Sequence, residues 1–345
     1  MSLNSNAGGS YMLKSEMKSY MSVLKGLAKT NKMTAWKSVA IKDNTIEATD
    51  LTHIFTLKTE IKGSGLYEAK ALDMYLLDNS ADIAAFRSGE LDDWVELPKI
   101  KWGAKLNLGT RHARRTLGEE LIYGLGFVSN DFSRPALTGV WSQKGEIVAT
   151  DGYRAYASSK FAELDGVEFN IDQTMLKAYK RLAKYGDWTL TIGEDDRHAP
   201  VIKLENENIV LISNQIEATM PDIRALANNN RKYHYKMIIP FEKVKALQDK
   251  DHDNLEVKFD GSLSLNQKPL PFKAEIIKTE YEYDDDRNRQ LLMGLSHYQN
   301  DTLAIFSVRL AADFSTKDGN LTIRACMPDF PDKIRNLCYS VDEAL

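Results

Sequence analysis

Residues 132–157, FSRPALTGVWSQKGEIVATDGYRAYA, constrain this 345-residue chain more than any other stretch. Leu137, Val140, Ile147 and Ala149 read as strand residues on either side of Gln143-Lys144-Gly145, a polar turn whose glycine supplies a positive φ at little cost. The two strands pair antiparallel. Thr150-Asp151-Gly152 then ends the second strand with a bend, because Asp bonds the backbone ahead of it and Gly accepts the unusual φ. Taken alone, this is a β-hairpin of some β-rich domain.

A second stretch echoes it. In residues 46–57, IEATDLTHIFTL, Ala48-Thr49-Asp50 repeats Ala149-Thr150-Asp151 at a separation of about 100 residues, and each follows a hairpin that follows a helix. That spacing is a domain-scale repeat, larger than a solenoid unit. The length allows two or three domains with real cores.

The wording of these stretches resembles the bacterial sliding clamp, the β subunit of DNA polymerase III. That family carries an R-x-x-L-x-G strand and an A-T-D-G-H-R-L-A strand end in its second domain, matched here by RPALTGV and VATDGYRAYA. Tyr153 stands where the family has His, and Ala155 where it has Leu. The IEATDL stretch is similar to the T-A-T-D-L-like strand end of the family's first domain. Met220-Pro221-Asp222-Ile223-Arg224 resembles its F-P-D-Y-R segment, and YHYKMIIPFEKVKALQ resembles the opening of its third domain. Clamps end in a strand running into a short M-P tail. Met327-Pro328 stand there, but the chain runs on through FPDKIRNLCYSVDEAL.

The resemblance implies an α+β fold of three repeated clamp domains, each with two helices packed against antiparallel β-sheets. The boundaries fall at 11–104, 105–232 and 233–330, with a disordered tail at 1–10 and a C-terminal tail at 331–345. It also implies a function: two protomers join head to tail into a homodimer ring around double-stranded DNA and tether DNA polymerase, with a clamp loader as a further partner. Such a protein is not an enzyme, carries no cofactor and works in the cytoplasm on the nucleoid. A clamp-like module that binds protein partners without encircling DNA is the competing class.

The residues themselves speak to DNA. A net charge of −4, from 45 basic and 49 acidic residues, excludes a chain that is basic throughout, so any phosphate contact needs charge segregated on one surface. Residues 11–29 give a helix with Leu13, Met17, Met21, Leu24 and Ala28 on one face and Lys14, Lys18, Lys25 and Lys29 in a neighbouring stripe. A helix over about 111–128 groups Arg111, Arg114 and Arg115. A third over 172–185, with Asp172 as N-cap and Gly186 as C-cap, sets Lys177, Lys180, Arg181 and Lys184 on one side and Leu176, Tyr179 and Ala183 on another. One such stripe is an ordinary solvated face. Three fit a basic channel that tracks phosphates without reading bases. The expected DNA-binding residues are therefore Lys14, Lys18, Lys25, Arg111, Arg114, Arg115, Lys177, Lys180, Arg181 and Lys184, with Arg134 added from the hairpin stretch.

The clamp resemblance further implies a pocket for short partner peptides. Carried over position by position, it falls on Leu137, Thr150, Gly152, Tyr153, Arg154, Ala155, Ala325 and Met327, a set of small and apolar residues with one Arg as a polar handle. Asp329 beside it replaces an apolar residue.

Other chemistry finds little footing. The six histidines are scattered without metal-ligand spacing, Gly124-Leu125-Gly126 lacks the third glycine of a dinucleotide site, and there is no Walker or G-x-S-x-G motif. Cys326 and Cys338 are too few for a disulfide framework, which fits a reducing setting. No apolar run reaches the roughly 20 residues that span a bilayer, and MSLNSNAGGS lacks the apolar core of a signal peptide, so no membrane partner is expected. Residues 70–79, KALDMYLLDN, are expected as a short helix, residues 105–109, KLNLG, as the strand that opens the second domain, and residues 294–307, GLSHYQNDTLAIFS, as the third domain's second helix.

Overall fold

Helix α1 (Lys14–Lys29) lies on a meander of three strands, β1 (Ser38–Lys42), β2 (Thr45–Thr49) and β3 (His53–Lys58). Its buried Met21, Leu24 and Leu27 share a core with Val39, Ile41, Ile46, Ala48, Phe55 and Leu57. On β2 and β3 the buried side chains alternate with more exposed ones, as a sheet with one covered face requires. The computed structural model describes residues 14–29, 38–42, 44–59, 64–69, 72, 99–109, 116–152, 154–158, 160–223, 232–246, 254–282, 291–296, 302–307, 320–325 and 335–341.

The chain divides into two compact units. The first comprises Met1–Gly118 and Thr174–Gln215, the second Glu119–Gln173 and Ile216–Leu345. The first unit holds an eight-stranded antiparallel sheet in the order β4-β1-β2-β3-β12-β11-β10-β5, formed with β4 (Gly65–Glu68), β5 (Ile100–Asn107), β10 (Thr189–Asp195), β11 (Pro200–Glu205) and β12 (Ile209–Asn214). The join between β3 and β12 is a regular ladder, from Ile209↔Leu57 to Ser213↔His53.

The second unit holds two sheets. One has nine strands in the order β17-β13-β20-β21-β18-β8-β7-β6-β9. Its members are β6 (Gly139–Gln143), β7 (Glu146–Thr150), β8 (Arg154–Ala157), β9 (Phe169–Asp172), β13 (Lys232–Ile239), β17 (Glu275–Glu282), β18 (Leu291–Ser296), β20 (Leu321–Ala325) and β21 (Arg335–Val341). The other has four, β16-β15-β14-β19, from β14 (Asn254–Lys258), β15 (Ser262–Leu265), β16 (Lys268–Lys273) and β19 (Thr302–Ser307). Besides α1, the α-helices among the described residues include α2 (Leu117–Gly124), α3 (Gln173–Leu182) and α4 (Phe241–Ala246). The architecture is α+β with antiparallel sheets.

One pattern recurs in these sheets. A three-strand meander carries a fourth strand on the outer side of its first member: β4-β1-β2-β3, β9-β6-β7-β8 and β19-β14-β15-β16. The corner after the second strand is also repeated in chemistry. The Leu51 N–H donates to Thr49 Oγ1 at 3.0 Å and the Gly152 N–H to Thr150 Oγ1 at 3.0 Å, with φ of +77° and +89°. The Thr hydroxyl fixes the turn, and the residue two positions on takes the left-handed backbone. Glycine accepts that freely; Leu51 accepts it at a cost.

Several expectations need correction. Leu137 is not in a strand: Pro135–Leu137 form a 3₁₀ turn, with Pro135 presetting φ and the Thr138 hydroxyl donating to Pro135 O at 2.8 Å. Among the described residues, the helix placed at 111–128 covers Leu117–Gly124 and then tightens into a 3₁₀ turn, Leu125–Phe127, where Gly124 and Gly126 weaken the α-form. Residues 111–115 lie outside those described. The helix expected across GLSHYQNDTLAIFS is instead parts of strands β18 and β19, because Leu291–Ser296 pairs with both β8 and β21 and Thr302–Ser307 with β14. The C-terminal segment is not a free extension throughout: Arg335–Val341 forms β21, between β20 and β18. Residues 105–107, expected at the start of a strand, are the end of β5, which begins at Ile100. Most of the helix expected at 70–79 lies outside the described residues.

Candidate nucleic-acid interface and partner site

The first candidate surface is built by α1 and the region of α3, both in the first unit. Met175, Leu176, Tyr179 and Leu182 bury one face of α3, and the Tyr179 ring meets Trp188 edge-on at 5.3 Å. Such a pair contributes about 0.5–1.5 kcal/mol beyond area burial. Gly118 makes room for it, since a Cβ there would stand 2.4 Å from Tyr179 Oη. The opposite face is left to Lys177, Lys180, Arg181 and Lys184, all exposed. The α-helix stops at Leu182, so Lys184 sits on the following turn, which Gly186 ends at φ +86°.

Three contacts bring α1 to this basic side. Ser19 Oγ and Tyr185 Oη share a hydrogen bond at 2.9 Å, the Tyr20 and Tyr185 rings pack edge to face at 5.4 Å, and Arg181 Nη1 donates to Ser22 Oγ. Exposed Lys18 and half-buried Lys25 of α1 therefore share one surface region with the α3 cations. Lys184 Nζ stands 4.8 Å from the centroid of Tyr185. The two stripes that the sequence treats as separate are thus one cationic patch. The tyrosine at 185, which couples the helices, carried no sequence signal beyond its place at a helix end. Lys14 lies in α1 with its side chain outside the description, and Arg111, Arg114 and Arg115 lie outside the described residues.

The second candidate surface is the corner of the hairpin in the second unit. A Cβ on Gly152 would meet Arg134 Nη1 at 2.9 Å and Leu137 Cδ1 at 3.5 Å, so Gly152, Arg134 and Leu137 close on one another. Arg134 is held by Asp131, whose Oδ2 accepts from Nε at 2.9 Å. The Asp131 carboxyl is lowered from its ordinary value, first by the Ser133 hydroxyl and N–H and then by Arg134. Thr150 and its ladder partner Ala155 are buried, while Leu137 is half-buried and Gly152 exposed. Arg134, assigned from sequence to DNA, lies beside the peptide-pocket residues.

Ladder register relates this corner to the C-terminal strands. Thr150, Ala155, Met293 and Cys338 form a row across β7, β8, β18 and β21, and Ala325 of β20 pairs with the next residue, Tyr339. Ala325 therefore stands three strand spacings from Ala155, about 14 Å. Tyr153 and Met327 lie outside the described residues, as does the Arg154 side chain.

The hairpin also holds the segment at 220–223. Gln143 Nε2 donates to Met220 O at 3.3 Å, and Lys144 pairs with Asp222. Met220 and Ile223 are buried, which explains the apolar-Pro-Asp-apolar wording. β8 is anchored from below, where the Tyr156 hydroxyl donates to buried Glu120 and its ring packs against Tyr123 and Phe127 at 4.9 and 5.4 Å. Among the described residues no group of three or more His, Cys, Asp or Glu is placed to hold a metal ion, and no helix is long and apolar enough to cross a membrane.

No protein-family model and no curated protein matches the chain by sequence. Solved structures do. The chain is similar to the DNA polymerase III β subunit of Thermotoga maritima, at 15% identity, covering 96% of this chain and 98% of that one with a TM-score of 0.59. It is similar to the β chain of Streptococcus pneumoniae, at 17% identity, the same coverages and a TM-score of 0.58. The Bacillus subtilis sliding clamp matches at 14%, again over 96% and 98%, with a TM-score of 0.56. At such identity the likeness is one of fold: the chain has the fold of the bacterial sliding clamps, in divergent form.

Proposed function

We propose that this protein is a DNA sliding clamp, a processivity factor that closes around duplex DNA as a head-to-tail homodimer and tethers DNA polymerase through a peptide-binding corner. The observation that carries the proposal is the convergence of Lys18, Lys25, Lys177, Lys180, Arg181 and Lys184 onto one region of the first unit in a chain of net charge −4. A protein that slides needs many weak phosphate contacts and no deep minimum. Segregated cations on helices supply the first, and the acidic remainder avoids the second. The clamp fold supports the same reading.

The three meanders with an outer fourth strand support three repeated clamp domains, read here at about 11–104, 105–232 and 233–330. A head-to-tail contact that closes makes a ring without free ends. A clamp loader is the partner that opens it, and the nucleoid in the cytoplasm is where it works. Gly152, Leu137 and Arg134 form the partner corner, and Thr150, Tyr153, Arg154, Ala155, Ala325 and Met327 complete it. Arg111, Arg114 and Arg115 extend the DNA lining.

Sedimentation velocity tests the assembly. A species of twice the protomer mass is expected at micromolar concentration, and monomer alone at that concentration contradicts the ring.

A further inference from the structure

The last strand of each meander has a defined neighbour in two of the three cases. β3 is continued by β12, and β8 by β18, each through an antiparallel ladder. The third equivalent, β16, ends its sheet among the described residues. On the ring reading, on which this inference rests, the neighbour that would continue β16 comes from a second copy of the chain.

β16 is poorly made for that. Its sequence is KPLPFK, whereas β3 and β8 carry no proline. The turn into β16 is the two-residue loop Asn266-Gln267, both at positive φ of 52° and 67°, which makes the flanking Leu265↔Lys268 pair the hydrogen-bonded one. One step on, Pro269 directs its nitrogen to the open side, and Pro271 lies in the stretch where β16 runs four residues against two of β15, between the pairs Ser264↔Pro269 and Ser262↔Lys273. Neither has an N–H to donate. The register also shifts between Ser262 and Ser264, and a bulge there twists the edge away from a flat partner. Exposed Lys268 and Lys273 flank the prolines. Proline, lysine and bulge are the devices by which exposed strands refuse a neighbour.

We infer that β16 is a blunted closing edge: a second copy meets it through side chains and carbonyl acceptors, without a continuous main-chain ladder. Closure at this joint is consequently labile, and protomers exchange between rings faster than a full ladder would permit.

The test is Pro269→Thr with Pro271→Thr, which gives both positions an N–H, the one at 269 on the open side, and a favourable β-former. Protomers labelled with donor and acceptor dyes are mixed, and exchange is followed by energy transfer. Exchange is expected to slow about tenfold or more in the double variant, with new hydrogen-exchange protection at residues 269 and 271. Pro269→Thr alone is expected to give an intermediate rate, which keeps the inference testable if the double variant does not fold. Dimers that exchange at the parental rate, with no new protection, overturn the blunted edge while leaving the ring intact. Absence of any dimer in parent and variants overturns the ring and the closing edge with it.

Discussion

Changing Lys177, Lys180, Arg181 and Lys184 together to Glu is expected to abolish retention on DNA and processive synthesis while leaving the protein folded. Each cation that neutralises a phosphate adds about 0.9 to the slope of log affinity against log salt, so losing four lowers that slope by roughly 3 to 4. Reversing the charge adds repulsion on top. The structural cost is small, because the four side chains are exposed and such groups contribute about 0–1 kcal/mol each. Arg181 also loses its bond to Ser22, and Lys184 its contact with Tyr185, so a shift of a few degrees in the thermal midpoint is expected. The check is primer extension with the cognate polymerase across a salt series, alongside a melting curve. Unchanged product lengths in a folded quadruple variant would remove the α1–α3 patch from the DNA interface.

Leu137→Asp is expected to weaken partner-peptide binding by more than a hundredfold. Leu137 is half-buried beside Gly152, so its side chain is available to a ligand and not sealed in the core. Losing that contact costs about 1.5–3 kcal/mol, and leaving a carboxylate in a dry contact costs more. Met327→Asp is expected to act in the same direction, and Thr150 and Ala155 are poor probes because both are buried and their loss would disturb the sheet. Fluorescence anisotropy with a labelled clamp-binding peptide gives the affinities, and circular dichroism confirms the fold. If both aspartate variants bind as the parent does, the partner site lies elsewhere.

The parts of the fold that were legible in the sequence are those whose rules are local. The β6-β7 hairpin is visible because Lys144-Gly145 supplies two positive φ values, 52° and 84°, in the middle of apolar strands. The bend at Thr150-Asp151-Gly152 is visible as turn wording, and the part of the Thr150 hydroxyl, which accepts from the Gly152 N–H, is not. The apolar face of α3 is visible from its period. What was not legible depends on pairing across long stretches of chain. Leu291–Ser296 has no helix-breaking residue except Gly294, and only its ladders to β8 and β21 make it a strand. Arg335–Val341 reads as a tail because the clamp resemblance stops at Met327-Pro328, yet β20 and β18 hold it on either side. Leu137 was misplaced by one element because Pro135 turns the backbone just before the strand.

At the sites the same division holds. The basic stripe on α3 could be counted from sequence, whereas its union with α1 rests on Tyr185, Ser19 and Ser22, which no charge pattern identifies. Arg134, expected among the DNA-binding cations, is bonded to Asp131 and stands beside Gly152 instead, away from any helix stripe.

Topological retention tests the clamp most directly. The protein is loaded onto nicked circular DNA by its loader, separated from free protein at high salt, and the DNA is then cut once. A clamp stays on the circle and runs off the cut molecule within minutes, because only the closed path holds it. Release at the same rate from circular and linear DNA would contradict encirclement and favour a clamp-shaped module that binds its partners without enclosing the duplex.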